Sequence, residues 1–345
     1  MAGSILKLVP VATILYHSYL SMASPLETSE PSSGTADTSI ELLARGNFCW
    51  DKTSTVFAFG DSFTLILGEK GSDHTWDEFD SPDTFKNNPI RLNATRAHGP
   101  NYIEYLTDCY EGLPQDCRPQ LYDLAYSGGP VNASLIKPKL DFMWDFVEAE
   151  QNWKKYIKLA VEWQTSTALV STWFGINDVA RSMTRKEPEI DSLFTQVMES
   201  YLHIVDDLYS HGLRTFMFFN VPPLERSPRG LKKPALWKRR VSAFNTHLST
   251  FIDAFLAGHS DATVVFVDSY KYFNYFLDHP EQLGYKNVTD YCADNAKPDI
   301  DTNYKSYGCL PPEHYFWIND LHPTSPLHKQ LAKDIKNQLE KASNC

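Results

Sequence analysis

One alternation narrows the possible folds of this chain more than any other feature. Five short apolar runs, "TVFAFG" (55–60), "LYDLAYSG" (121–128), "ALVSTWFG" (168–175), "RTFMFFNV" (214–221) and "ATVVFVD" (262–268), are separated by amphipathic segments near 140–163, 191–211, 235–258 and 325–341. Strands that alternate with helices and read as continuous hydrophobes belong to a parallel sheet covered on both faces. The expected class is α/β, with a mainly parallel sheet between two helical layers. A chain of 345 residues, 42% of them hydrophobic, can bury the core this requires. No internal repeat or linker divides it, so residues 46–345 read as one domain.

In open sheets of this kind ligands bind beyond the carboxyl ends of the strands. The first run ends at Gly60-Asp61-Ser62, the second at Ser127-Gly128-Gly129, the third at Gly175-Ile176-Asn177-Asp178 and the fourth in "NVPPLERSP" (220–228). Glycine and polar residues therefore gather at one sheet edge. A hydroxyl at a strand tip is either a helix cap or a nucleophile. A nucleophilic Ser62 needs a base within hydrogen-bond reach and donors for the oxyanion formed on attack. Its own N–H, the N–H of Gly128 or the adjacent Gly129, and the Asn177 amide are the candidate donors. The base is sought in "FWINDLHPTSPLHKQLA" (316–332). His322 stands just before Pro323 and a helical pattern, hence on a loop, whereas His328 falls inside that pattern and reads as a surface or packing residue. Asp61 and Asp178 flank the site as hydrogen-bond acceptors.

Residues 1–23 carry one lysine, Lys7, then "LVPVATILYHSYLSMA" and small residues at Ser21 and Ala23, the form of a secretory signal peptide. As a membrane anchor the run is too short and is broken by His17, Ser18 and Ser21. Residues 24–45, opening "SPLETSEPSSGTADTSI", read as a flexible lead-in. The net charge of −11 repels phosphate backbones and anionic lipid surfaces, so nucleic acid is not expected, and no second stretch approaches the ~20 apolar residues that a membrane span needs. In an oxidising compartment six cysteines suggest disulfides. Proximity favours Cys109 with Cys117 and Cys292 with Cys309, leaving Cys49 for Cys345. No Cys-x-x-Cys or clustered-histidine spacing points to a metal. Sequons at Asn93, Asn132 and Asn287 fit a glycosylated secreted protein.

"FGDS", the glycine after the second run, "GIND" and the late "DLHPT" resemble the four sequence blocks of the GDSL, or SGNH, hydrolase superfamily. The resemblance implies a flavodoxin-like three-layer α/β/α fold and functional residues Ser62, Gly128, Asn177 and His322. More narrowly, "FGDSFT", "HGPNYIEYL", "LYDLAYSGG", "NVPPLERSP" and "LHPTSPLHK" are similar to secreted fungal GDSL esterases, including the acetylesterases of carbohydrate esterase family 16. The superfamily usually carries Asp three residues before the histidine. Here that position is Asn319, and Asp320 stands two before, so either residue is a candidate to orient His322.

Exposed aromatic rings stack on sugars, which makes Trp76, in the insertion "GSDHTWDEFDSPDTF" (71–85), a candidate substrate contact. Trp144, Trp153 and Trp163 read as core. The expected activity is that of a secreted, monomeric serine esterase that needs no cofactor and releases short acyl groups, acetyl above all, from carbohydrate or small esters. A lipase or phospholipase acting on long chains, and a noncatalytic carbohydrate-binding protein, are the alternatives.

Overall fold

Among the described residues six strands form one sheet: β1 (Ile40–Ala44), β2 (Thr55–Gly60), β3 (Gln120–Asp123), β4 (Ala168–Trp173), β5 (Thr215–Phe219) and β6 (Thr263–Val267). The computed structural model describes residues 39–44, 46–67, 81–141 and 143–345, all within the unit Thr35–Cys345. The helices are α1 (Pro82–Asn87), α2 (Tyr102–Thr107), α3 (Phe146–Asn152), α4 (Ile176–Ser182), α5 (Glu187–Ser210), α6 (Pro234–Gly258), α7 (Ser269–Asp278), α8 (Ile300–Asn303) and α9 (Ser325–Ala342). The expected signal peptide and the candidate contact Trp76 lie outside the described residues.

The strand order is β1-β6-β5-β4-β2-β3, parallel throughout except that β1 runs antiparallel to β6. The chain passes from β2 outward to β3, returns across β2 to β4, and then continues through β5 and β6. The winding thus reverses at β2, which opens a crevice at its carboxyl end. The register pairs Ala58 with Asp123 and Gly60 with Trp173, which brings the tips of β2, β3 and β4 to that crevice.

Alternation along the strands builds the layers. On β4, Thr172 accepts a hydrogen bond from Tyr201 of α5, while Ser171 meets the hydroxyl of Tyr102 in α2. On β5, Phe218 packs edge-on against Phe251 and Phe255 of α6, and Phe219 stacks on Trp173, which also contacts Tyr102. Helices α3, α5 and α6 therefore cover one face, and α2 and α7 the other. Trp144 and Trp153 are buried and Trp163 packs edge-on to Phe57, as core residues should. The 140–163 segment is shorter as a helix than its pattern suggests: α3 passes at Trp153 into a single wider turn ending at Ile157.

One expectation is corrected. Ile40–Ala44, placed in the flexible lead-in, form the edge strand β1. Ile40 is buried, Leu42 and Ala44 pack on the core, and Asp268 donates its N–H to the Ser39 carbonyl, so pairing with β6 orders a segment whose composition reads as loose.

Three disulfides are formed, Cys49–Cys345, Cys109–Cys117 and Cys292–Cys309. The first joins residues 296 apart and ties the approach to β2 to the end of α9. Cross-linking so long a loop restricts the unfolded chain strongly. The double substitution Cys49→Ser/Cys345→Ser should lower unfolding free energy by about 2–5 kcal/mol. Denaturant unfolding under oxidising conditions measures it, and an unchanged midpoint would contradict this role.

Candidate active site

The site begins where β2 runs out. A Cβ on Gly60 would lie 2.5 Å from Thr64 Oγ1, so only glycine lets the chain turn this tightly. The Asp61 carbonyl accepts from the N–H groups of Thr64 and Leu65, and Asp61 Oδ1 accepts from Phe63 N–H at 3.0 Å. These bonds hold Ser62 at the apex, with its Oγ 2.6 Å from His322 Nε2.

His322 sits on a loop closed by its own backbone. Ile318 N–H donates to the His322 carbonyl at 2.9 Å, and Asn319 Oδ1 accepts from Leu321 N–H and His322 N–H, both at 3.0 Å. The same oxygen lies 2.9 Å from His322 Nδ1. Two backbone N–H donors fix which amide atom is oxygen, and an amide oxygen can only accept. Nδ1 therefore carries the ring proton, and the Nε2 lone pair faces the Ser62 hydroxyl. The Phe63 ring packs 5.2 Å from the imidazole.

Of the two residues proposed to orient this histidine, only Asn319 reaches it. Asp320 is turned onto Arg229, whose Nε and Nη2 each donate to its carboxylate at 2.9 Å, while Arg229 N–H donates to the Asp320 carbonyl. A bidentate guanidinium pair fixes a carboxylate in both position and direction, and both oxygens of this one are engaged by Arg229. His328 is buried between Phe63 and Tyr102, a packing residue as its place in a helical pattern suggests.

The oxyanion candidates divide. Gly128 has φ +85°, a conformation that glycine adopts freely. Neither its N–H nor that of Ser62 has an acceptor among the described residues, whereas Gly129 N–H is spent on the Tyr126 carbonyl. This distinguishes Gly128 from its neighbour as a donor. Asn177 Nδ2 donates to Asp61 Oδ2 at 2.9 Å and to the Gly129 carbonyl at 3.2 Å, tying the glycine turn to the serine turn. Asp178 accepts from Val131 N–H, and Arg181 Nη2 holds the Gly128 carbonyl at 3.3 Å. Gly128→Ala would force a side chain into the left-handed region, at about 1–2 kcal/mol, and against Met143 Sδ, 3.1 Å from the new Cβ. Displacing the N–H should lower kcat on 4-nitrophenyl acetate about 100-fold. Undiminished kcat in a folded variant would remove Gly128 from the donor set.

Charge placement favours a neutral imidazole. Loss of hydration, then the nearby Arg96 and Arg229 guanidiniums, push the His322 pKa down to about 3, with Asp320 opposing weakly. Burial raises Asp61 to about 8, against the bonds from Phe63 and Asn177, and raises Asp178 to about 7. Among the described residues no group of three or more His, Cys, Asp or Glu could hold a metal ion. Arg181, Arg229 and Met143 escaped the sequence reading. Arg229 lies one residue past the "NVPPLERSP" stretch, and nothing local marks its partner 91 positions away.

A family model described as GDSL-like Lipase/Acylhydrolase matches residues 56–335. An acetylesterase of Thermothelomyces thermophilus is 26% identical over 86% of this chain and 95% of its own length. The GDSL esterase/lipase At1g20120 of Arabidopsis thaliana is 23% identical over 61% of this chain and 56% of its own length. Among solved structures, an acetylxylan esterase from Geobacillus stearothermophilus aligns with a TM-score of 0.40 and 14% identity over 84% of this chain and 96% of that one. The chain belongs to the GDSL-like lipase/acylhydrolase family and is a carboxylic ester hydrolase.

Proposed function

We propose that this hydrolase is a secreted serine esterase that removes short acyl groups, acetyl above all, from carbohydrate or small esters through an acyl-enzyme on Ser62. The observation that carries the reading is the 2.6 Å contact between Ser62 Oγ and His322 Nε2, with Asn319 Oδ1 holding the proton on Nδ1. His322 takes the Ser62 proton as Oγ attacks the ester carbonyl. The oxyanion meets the N–H groups of Ser62 and Gly128. Asn177 completes the set by turning one amide hydrogen from the Gly129 carbonyl, the longer of its two bonds. His322 then protonates the departing alcohol, and water, deprotonated by the same nitrogen, releases the acid and restores Ser62.

Half-buried Met143, packed against Gly128, narrows the space beside the oxyanion donors and supports a short acyl group, as does similarity to a fungal acetylesterase. Three disulfides and the signal-like residues 1–23 support secretion, and among the described residues no helix is long and apolar enough to cross a membrane. Of the sequons, Asn93 is the exposed one and is the first place to look for glycan.

Hydrolysis of 4-nitrophenyl esters from acetate to palmitate, with fluorophosphonate labelling alongside, tests this function. The expected result is kcat/KM falling at least about tenfold from acetate to octanoate, as a closed acyl site requires, with label on Ser62 alone. A maximum at long chains would make the protein a lipase. Absence of label in folded protein would favour a noncatalytic binding role.

A further inference from the structure

Three side chains of α4 grip one loop. Asn177 Nδ2 donates to the Gly129 carbonyl, Arg181 Nη2 donates to the Gly128 carbonyl at 3.3 Å, and Asp178 accepts from Val131 N–H. Asn177 and Arg181 stand four residues apart and so share a helix face. Of the three, Arg181 has no place yet in the chemistry.

Its setting is unfavourable for a charge. Arg181 is half-buried, and its Nε is enclosed with no acceptor among the described residues. Burial lowers its pKa, Asp178 opposes that shift and Arg229 adds to it, though a guanidinium keeps its proton. Asp178 directs its carboxylate to Val131 N–H. A cation placed in this way is a poor source of stability. The reason for its position is to be sought in the carbonyl it holds.

That carbonyl belongs to a turn with two possible forms. Gly129 N–H donates to the Tyr126 carbonyl at 3.0 Å and closes a β-turn over Ser127 and Gly128. Of these two only Gly128 has a positive φ, +85°, which makes the turn type II. Type I differs by reversal of the Ser127–Gly128 peptide, and glycine accepts both signs of φ, so the turn's own residues do not choose. The choice matters because that peptide carries the Gly128 N–H. In the type II form the N–H faces the oxyanion, whereas the reversed peptide would present the Ser127 carbonyl and repel it.

Arg181 is placed to choose. At positive φ the Cβ direction lies beside the preceding carbonyl oxygen, and a Cβ on Gly128 would be 3.6 Å from Arg181 Nη2. The guanidinium thus stands on the side to which the Ser127 carbonyl points. In a trans peptide the N–H points the other way. A cation there attracts the carbonyl and repels the N–H, so it favours the form with the donor forward.

We propose that Arg181 is a positioning residue of the oxyanion site, which holds the Ser127–Gly128 peptide with its N–H toward the reacting carbonyl through its charge and its bond to Gly128. The inference rests on the roles of Ser62 and Gly128 given above and adds what fixes the donor. It also keeps the loop held while Asn177 turns from the Gly129 carbonyl to the oxyanion.

The test measures kcat and KM for 4-nitrophenyl acetate, and the inhibition constant of trifluoroacetone, in wild type and in Arg181→Met, Arg181→Gln and Arg181→Lys. Ser62 Oγ adds to the ketone carbon, its proton passes to His322, and the ketone oxygen becomes an oxyanion at the donors. The inhibition constant therefore reads that site without turnover. Arg181→Met should lower kcat by about tenfold, the scale of one lost bond to a charged group, and weaken the ketone similarly, with KM close to wild type. Arg181→Lys, which keeps the charge, should recover most of both losses, and Arg181→Gln, which keeps a donor without charge, should not. On a Gly128→Ala background, where the donor is already displaced, Arg181→Met should cost little more. Equal recovery by lysine and glutamine, or unchanged kcat and inhibition in folded Arg181→Met, would overturn the inference. Where Arg181→Met does not fold, the lysine and glutamine variants decide alone. Undiminished kcat in Gly128→Ala would instead overturn the donor reading beneath it, so the two failures are separable.

Discussion

Replacing Ser62 by alanine should lower kcat on 4-nitrophenyl acetate by about 10⁵–10⁶-fold while leaving KM within a few-fold of wild type. The hydroxyl forms the covalent bond between protein and acyl group on which the proposed cycle depends, and nucleophiles in serine hydrolases show losses of that size. His322→Ala should cost about as much, and the double variant little more than either alone, because the two groups act as one unit. Ser62 is 7% exposed and, among the described residues, its side chain hydrogen-bonds to His322 alone, so alanine leaves the turn held by Asp61 intact. Thermal unfolding should therefore stay within a few degrees of wild type. Retention of more than about 1% of kcat, in protein whose label and melting profile are normal, would place the nucleophile elsewhere.

The sheet was legible in the sequence because parallel strands are buried on both faces and read as unbroken hydrophobes. "TVFAFG" and "ALVSTWFG" locate β2 and β4 to within two residues. β1 was not legible for the same reason: an antiparallel edge strand buries only alternate residues, and "IELLA" follows a stretch rich in Ser, Thr and Pro. Helix α7, "SYKYFNYFLD", is short and follows β6 closely, so its period had little length in which to show. At the site, Ser62, Gly128, Asn177 and His322 stood out because each follows a strand or precedes a helix, where a turn residue announces itself locally. What sequence left open was the choice between Asn319 and Asp320. That choice is made by Arg229, which takes one of the two candidates out of contention through a contact no local pattern encodes.

Asn319→Leu should lower kcat by about 10³–10⁴-fold, and Asp320→Asn by less than tenfold. In serine proteases, exchanging the orienting Asp for Asn costs about 10⁴ in kcat, because the amide leaves the imidazole in the wrong tautomer. Here the native residue is Asn, and Leu321 N–H and His322 N–H fix its oxygen toward the ring. The tautomer is thus secured without a carboxylate. Leucine keeps the volume and removes the acceptor, so Nδ1–H loses its partner and the reactive tautomer is no longer selected. Asn319 also supplies no charge to favour the imidazolium. Burial of the ring first, then Arg96 and Arg229, favour the uncharged form and hold the His322 pKa down, near 3. Catalysis needs Nε2 unprotonated, so the rate rises with pH through that pKa, and a depressed value extends activity well below the pH of 6.5 at which histidine ordinarily gains its proton. Asn319→Asp puts a negative charge about where Oδ1 now lies, 2.9 Å from Nδ1, and opposes both arginines. The acid limb of kcat/KM should then move upward by at least about one pH unit, the size of effect a close opposite charge produces. A pH profile of the two proteins between pH 3 and 8 decides it: an unmoved limb would mean that His322 is not the titrating base, and a large loss in Asp320→Asn would return the orienting role to Asp320.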